Sequence, residues 1–210
     1  MNLSSLVLRL SAFAAVVSQR AALLFAFYLA AALPADLRAA DPDLVVSADQ
    51  SVAQDTVTAY GNVTVQNGAT WTLCGGSSVT VSGTVTVSGH SKILMLSKNV
   101  AAKVDADWAG SGATLQAGNL QVEEGSSISA DGQGYATVVG HPSSAAAGPG
   151  NSAAGDYVAP GHGGVSGADA DGHYGPTYGD PLQPVTPGSA SWASGNGCVG
   201  GGVIRLIVPG

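Results

Sequence analysis

Charge is what this chain has least of. Lys and Arg together number 7 in 210 residues, and no two of them are adjacent. A nucleic-acid-binding surface displaces counterions with clustered Lys and Arg, so nucleic acid is excluded as a partner. Stretches mixing Ala, Leu, Glu and Lys, the mixture that favours helix, are scarce beyond residue 40, which argues against a helical enzyme. Low charge does not make the chain disordered, because 45% of it is hydrophobic. Cysteine is nearly absent. Cys74 and Cys198 pair in one reading and are small buried hydrophobes in the other. Neither has a histidine nearby in sequence to activate a thiol. A G-x-S-x-G elbow, a phosphate loop and a dinucleotide-binding phrase are all missing.

The one long apolar run lies at the start. Ala21–Leu33 is unbroken by a polar residue, Arg9 and Arg20 precede it, and small residues follow Pro34. Residues 1–40 therefore read as a secretory signal peptide cut near Ala39 or Ala40. The other reading is a signal anchor, which would be the chain's only tie to a membrane. Without residues 1–39 the chain carries four Lys/Arg against 13 Asp/Glu, a net charge of −9. Cations or neutral glycans suit such a surface better than polyanions.

What the chain has in quantity is Val, Thr, Ser and Gly in short alternation. Three phrases align: Gly61–Leu73 (GNVTVQNGATWTL), Gly83–Met95 (GTVTVSGHSKILM) and Gly118–Ala130 (GNLQVEEGSSISA). Val65, Val87 and Val122 share one position, and Trp71, Ile93 and Ile128 another. Ser77–Gly83 reads as a further partial copy. Recurring short strands at a period near 20 residues indicate a β-solenoid, with apolar side chains inward and Thr or Ser outward. A β-sandwich also uses short alternating strands, but does not require one turn-plus-strand phrase to recur. The expected fold is therefore all-β, a β-solenoid over 41–130.

Between Asp131 and Gly202 the strand pattern stops. This segment holds 19 of the 30 glycines and seven of the ten prolines, so it reads as one long glycine-rich loop or cap. Tyr135, Tyr157, Tyr174, Tyr178 and Trp192 argue that it is partly ordered. Residues 203–210 then read as a returning core strand with no polar cap after it. Either further coils follow in a longer protein, or the last strand stacks on a partner.

These phrases carry a resemblance. "SISADGQGY" (Ser127–Tyr135), "GPG" (Gly148–Gly150), "GHGG" (Gly161–Gly164), "YG" (Tyr174–Gly175 and Tyr178–Gly179) and "GGGVIRL" (Gly200–Leu206) resemble a glycine-rich module of secreted and cell-surface parallel β-helix proteins. The resemblance covers Gly61 to Val208. It implies a right-handed parallel β-helix, an adhesin-like or structural protein, and no particular activity.

Candidate chemistry concentrates around Pro160–Asp180. "GHG" at Gly161–Gly163 resembles β-helical pectin hydrolases, in which an Asp pair supplies acid and base. Glycoside hydrolysis needs two carboxylates about 5–10 Å apart. Asp105, Asp107, Asp169 and Asp171 are the candidates, with His162. The hydrolase pattern's "NTD" is absent, and Arg205 lacks the lysine expected two residues later. Asp169 and Asp171, with Asp180 eleven residues after Asp169, form a candidate calcium loop. No Glu occupies the last position, and no flanking helices are evident. His141, His162 and His173 with Asp171 match no compact metal motif. Tyr174, Tyr178 and Trp192 are candidates for a sugar-stacking platform. Asn62-Val63-Thr64 is an N-glycosylation sequon.

The reading with most support is a non-enzymatic, secreted or cell-surface structural or adhesive β-solenoid, with an extracellular glycan or protein surface as partner and no cofactor. The alternatives are a β-helical polysaccharide hydrolase or lyase and a calcium-stabilised surface module.

Overall fold

Alternating Val and Thr make this part of the chain all strand. The computed structural model describes residues 40–136, 147–151, 160–162, 172–180, 182–183, 185–190 and 199–209. The expected signal peptide lies outside the described residues. Ten strands follow Asp41: β1 (Leu44–Val46), β2 (Gln50–Val52), β3 (Val57–Tyr60), β4 (Val63–Val65), β5 (Thr70–Leu73), β6 (Ser78–Val87), β7 (Lys92–Met95), β8 (Ala113–Val122), β9 (Ser127–Ser129) and β10 (Ile204–Ile207). No helix of the described residues is long and apolar enough to cross a membrane.

The strands form two sheets with every pairing parallel. The six-stranded sheet runs β1-β4-β6-β8-β10, with β3 beside β4 on the same edge of β6; the four-stranded sheet runs β2-β5-β7-β9. The chain passes from the first sheet to the second and back, and from β4 onward each strand lies on one from the preceding passage. Ser77–Gly83 is not a separate copy of the repeat. From Ser78 on it belongs to β6, whose Ser78–Val81 lie over β3, while Val85–Val87 lie over β4.

The three aligned phrases sit in register. Val63, Val85 and Leu120 form one column, and Val46, Val65, Val87 and Val122 the next. In the second sheet Trp71, Ile93 and Ile128 stack, as do Val52, Leu73 and Met95. Val63, Val65, Trp71, Leu73, Val79, Val85, Val87, Ile93 and Met95 are fully buried, and burying each stabilises the fold by about 1.5–3 kcal/mol. Alternate residues face outward because side chains on a strand alternate between faces.

Glycine recurs at the bend of the larger sheet because backbones approach closely there. Ser82 and Gly83 together oppose Gly118 in a bulge, and a Cβ on Gly118 would lie 2.6 Å from the Ser82 carbonyl oxygen. Polar side chains bridge between passages beside it. The Asp43 carboxylate accepts the Asn62 N–H at 2.7 Å, and the Asn62 Oδ1 accepts the Thr84 N–H at 3.0 Å.

The two corners of the fold differ. Turns from the first sheet to the second stay short: Gln66–Ala69, Ser88–Ser91 and Glu123–Ser126 each close with a backbone bond from the fourth residue to the first, at 3.2, 3.2 and 3.0 Å. The opposite corner grows. It takes residues 53–56, then 74–77, then 96–112, then 130–203. The excursion 96–112 explains why the second repeat interval is longer than the first. Its Val100 and Trp108 pack with Tyr135, Ala147 and Ala190 of the glycine-rich segment into a second, smaller core.

One expectation fails. The sequence predicts a core strand at β10, and β10 does pair in register with Ala113–Gln116 of β8, but all four of its residues are exposed. Ile204 and Leu206 occupy the inward columns of Ala113 and Leu115. They remain exposed because, among the described residues, no strand lies on the outer edge of β10.

At the growing corner Lys98 reaches Asp55 across the intervening passage. That ammonium, with the Gln54 amide assisting, holds the Asp55 carboxyl below its ordinary value of 3.8. A group held low in the folded chain contributes stability above its unfolded pKa and loses it as pH falls through the folded one. Asp55 is exposed, so solvent screening keeps the effect small. An Asp55→Asn variant is expected to show a flatter dependence of Tm on pH below about pH 4. Superimposable acid limbs would refute the linkage.

Candidate functional site

The glycine phrases meet as bare backbone. Gly134 N–H donates to Gly200 C=O at 2.7 Å, Tyr135 N–H to Gly188 C=O at 2.9 Å, Gly200 N–H to Tyr135 C=O at 2.9 Å, and Gly188 N–H to Gly201 C=O at 2.8 Å. Segments far apart in sequence thus bond as three adjacent chains. Tyr135 is fully buried beneath them, its ring edge-on to Trp108 at 5.2 Å, and its hydroxyl accepts the Gly110 N–H at 2.9 Å. Burial pushes the Tyr135 phenol up in pKa, against the Gly110 bond.

Beside this dock lies a polar chain. Gly150 N–H donates to Ser189 Oγ at 2.9 Å, Ser189 to the Tyr178 hydroxyl at 3.0 Å, and Tyr178 to Pro187 C=O at 2.8 Å. The His162 ring sits edge-on to Tyr178 at 4.7 Å, with Nε2 3.1 Å from Thr186 C=O. That contact requires Nε2 to carry the proton. Burial raises the Tyr178 pKa, partly offset by Ser189. Ser189 is therefore committed to Gly150 and Tyr178, and His162 to a backbone carbonyl. A nucleophilic serine needs a base within hydrogen-bond reach. This arrangement instead fixes the path of the loop.

Two open clefts of about 340 Å³ each flank Ile204. One is lined by His162, Thr186, Gly188, Gly201, Gly202, Val203 and Ile204. The other is lined by Leu182, Gln183, Val185 and the four residues of β10. The first is largely apolar and the second mixed, with Arg205 and Gln183 in its lining; among the described residues neither holds a carboxylate.

Among the described candidate residues, His162 and Tyr178 come together. Asp105 and Asp107 are exposed at the tip of the 96–112 excursion, where Val104 and Asp107 exchange two backbone bonds of 2.9 Å around a turn with positive φ at Asp105 and Ala106. Asp169, Asp171, His141, Trp192 and Cys198 lie outside the described residues. Asp180 Oδ1 accepts the N–H groups of Leu182 and Gln183 at 2.8 and 3.2 Å, so it caps a turn. Among the described residues, no group of three His, Cys, Asp or Glu side chains comes together that would hold a metal ion. Of the aromatic candidates, Tyr178 points inward to Pro187 and Ser189, whereas Tyr174 is exposed. Cys74 is half-buried and has no disulfide partner among the described residues. The Asn62 Nδ2, the atom a glycan would take, donates to Asp43 at 3.1 Å.

Sequence reasoning missed Ser189, Thr186 and Trp108. No motif marks them; only the meeting of distant glycine phrases gives them partners.

Comparison with known proteins adds no relationship: no family model, curated protein or solved structure matches the chain.

Proposed function

We propose that this chain is a secreted or cell-surface right-handed β-solenoid, a non-enzymatic structural or adhesive module whose flat outer face takes a neutral, hydroxyl-rich glycan. The observation that carries this reading is the outward face of the six-stranded sheet. Its columns run Val45, Thr64, Thr86, Gln121; Val57, Ser78, Thr114, Arg205; and Ala59, Thr80, Gln116, Ile207, with the apolar residues at the column ends. Hydroxyl and amide groups thus repeat at the strand spacing of about 4.8 Å, with Arg205 the one charged group in these columns. Such a surface offers a polymer hydrogen bonds without a field that selects for charge. The return of the chain to the same sheet at each passage supports the solenoid, and the apolar run Ala21–Leu33 supports secretion. The resemblance of the glycine-rich phrases to surface modules points the same way.

The test is binding of the full chain to bead-coupled neutral polysaccharides, at salt high enough to screen charge. The expected result is retention that a Thr86→Lys variant weakens roughly tenfold with Tm little changed, since surface substitutions are usually within about 0.5 kcal/mol. A folded chain that binds none of the polysaccharides would remove the glycan from the proposal.

A further inference from the structure

The two ends of the parallel ladder have complementary steps. At the β1 end, the larger sheet reaches one strand further on one side: β1 lies on β4, whereas β3, beside β4, has no strand on its outer edge among the described residues. At the β10 end the step is reversed. β10 covers Ala113–Gln116 of β8, whereas Asn119–Val122 of β8 are uncovered by any described strand. The second sheet ends level, on β2 at one end and β9 at the other.

We propose that copies of this chain stack head to tail, with the β1 end of one copy seated on the β10 end of the next. In that arrangement β1 of the upper copy fills the step over Leu120–Val122, because β1 already occupies the column of Val63–Val65, Val85–Val87 and Leu120–Val122. By the same register β3 of the upper copy lies over β10, and β2 over β9. The side chains match. Leu44 and Val46 fall on Leu120 and Val122, and Thr58 falls on Leu206, each pair in one inward column. Asp43 falls on Asn119, whose Oδ1 would accept the Asp43 N–H as Asn62 accepts that of Thr84.

The exposed apolar residues fit this seating. Val122, Ile204, Leu206 and Val208 are 42%, 44%, 37% and 43% exposed at the β10 end, whereas Val57, 82% exposed at the other end, stands in the outward column of Ser78 and Thr114. Open strand edges carrying such residues pair with other chains unless something blocks them. The contact joins two different surfaces, so it does not close on itself and would produce a growing stack. One seam needs adjustment. Asp41–Pro42 of the upper copy and Val208–Pro209 of the lower one claim the same two columns, so one pair has to turn outward; all four residues are exposed. Both rims are acidic, with Asp41, Asp43 and Asp49 on one and Glu123, Glu124 and Asp131 on the other. Stacking is therefore strengthened by salt, which screens like charges at the rims.

The experiment is sedimentation velocity of the full chain over a range of concentration and salt, with electron microscopy of the associated fraction. The expected result is a series of species that lengthens with both variables. A Val122→Glu/Leu206→Glu variant places charges on the β10 end and is expected to raise the concentration needed for association roughly tenfold or more. Thr58→Glu does the same at the β1 end. A mixture of the two blocked proteins is expected to form dimers through their unblocked ends and nothing longer. A wild-type chain that stays monomeric throughout overturns the proposal. So does a closed dimer that never grows. If either variant fails to fold, the wild-type concentration and salt series decides the matter alone.

Discussion

Replacing Trp71 by alanine is expected to cost about 3–5 kcal/mol, the range for removing a large aromatic from a packed interior. Trp71 is fully buried in the column above Gln50 and below Ile93, and its ring meets Tyr60 edge-on at 6.3 Å. Parallel strands hold both neighbours in register, so the site can collapse little. In a chain of this size the loss corresponds to a Tm lower by roughly 10 °C or more. A Trp71→Phe variant isolates a second effect. The indole Nε1 is buried with no hydrogen-bond partner among the described residues. Phenylalanine removes that orphan donor along with part of the volume, so it is expected to lose less than about half as much. Thermal or urea unfolding of both variants measures the difference. If Trp71→Ala melts like the wild type, Trp71 does not occupy this column.

The second large effect concerns two neighbouring glycines with opposite expected outcomes. A Cβ on Gly200 would lie 1.9 Å from the Gly188 carbonyl oxygen and 2.4 Å from its carbonyl carbon. Those are backbone atoms, held there by the bonds that tie Gly188 to Tyr135 and Gly201. Gly200→Ala is therefore expected to cost about 3 kcal/mol or more, at or above the upper end for overpacking. A Cβ on Gly201 would meet nothing within 4 Å, so Gly201→Ala is expected to be nearly neutral. The damage from Gly200→Ala should fall on the dock. Trp108, packed against Tyr135, should change its fluorescence, and the glycine-rich segment should become easier to cleave with protease. The far-UV strand signal should persist, because the larger core around Trp71 shares no buried residue with the smaller one around Tyr135. Equal melting of the Gly200→Ala and Gly201→Ala variants would refute the docked arrangement.

Much of the ladder was legible in the sequence. The positions of Val65, Val87 and Val122, and of Trp71, Ile93 and Ile128, follow from aligning three phrases, because a strand's two-residue period leaves little freedom in register. Two features were not legible. The first half of each passage on the larger sheet, such as Val57–Tyr60, lies outside the repeated phrase, so β6 reads as two separate pieces. The fate of β10 depends on whether a strand lies beyond it, and a run such as Val203–Val208, apolar except for Arg205, reads the same in either case.

The candidate site was less legible for a different reason. "GHG" and "DAD" are short and polar, and their meaning depends on partners far away in sequence. His162 finds a backbone carbonyl, Asp180 finds the two N–H groups of its own turn, and Asp105 and Asp107 find solvent. The glycines spoke more clearly than the acids, although their message was backbone contact rather than chemistry.

The uneven corners have a practical consequence. One corner repeats a four-residue turn with little change, and the other accepts anything from four residues to more than seventy while the strands on either side keep their register. Length variation is thus confined to a single edge, and the ladder tolerates it because each added segment leaves from and returns to fixed columns. That edge is a natural port for grafting. A foreign peptide inserted between Asp105 and Asp107 would be displayed at an exposed tip without entering either core, and a row of such ports along one side would present several peptides at spacings set by the strands.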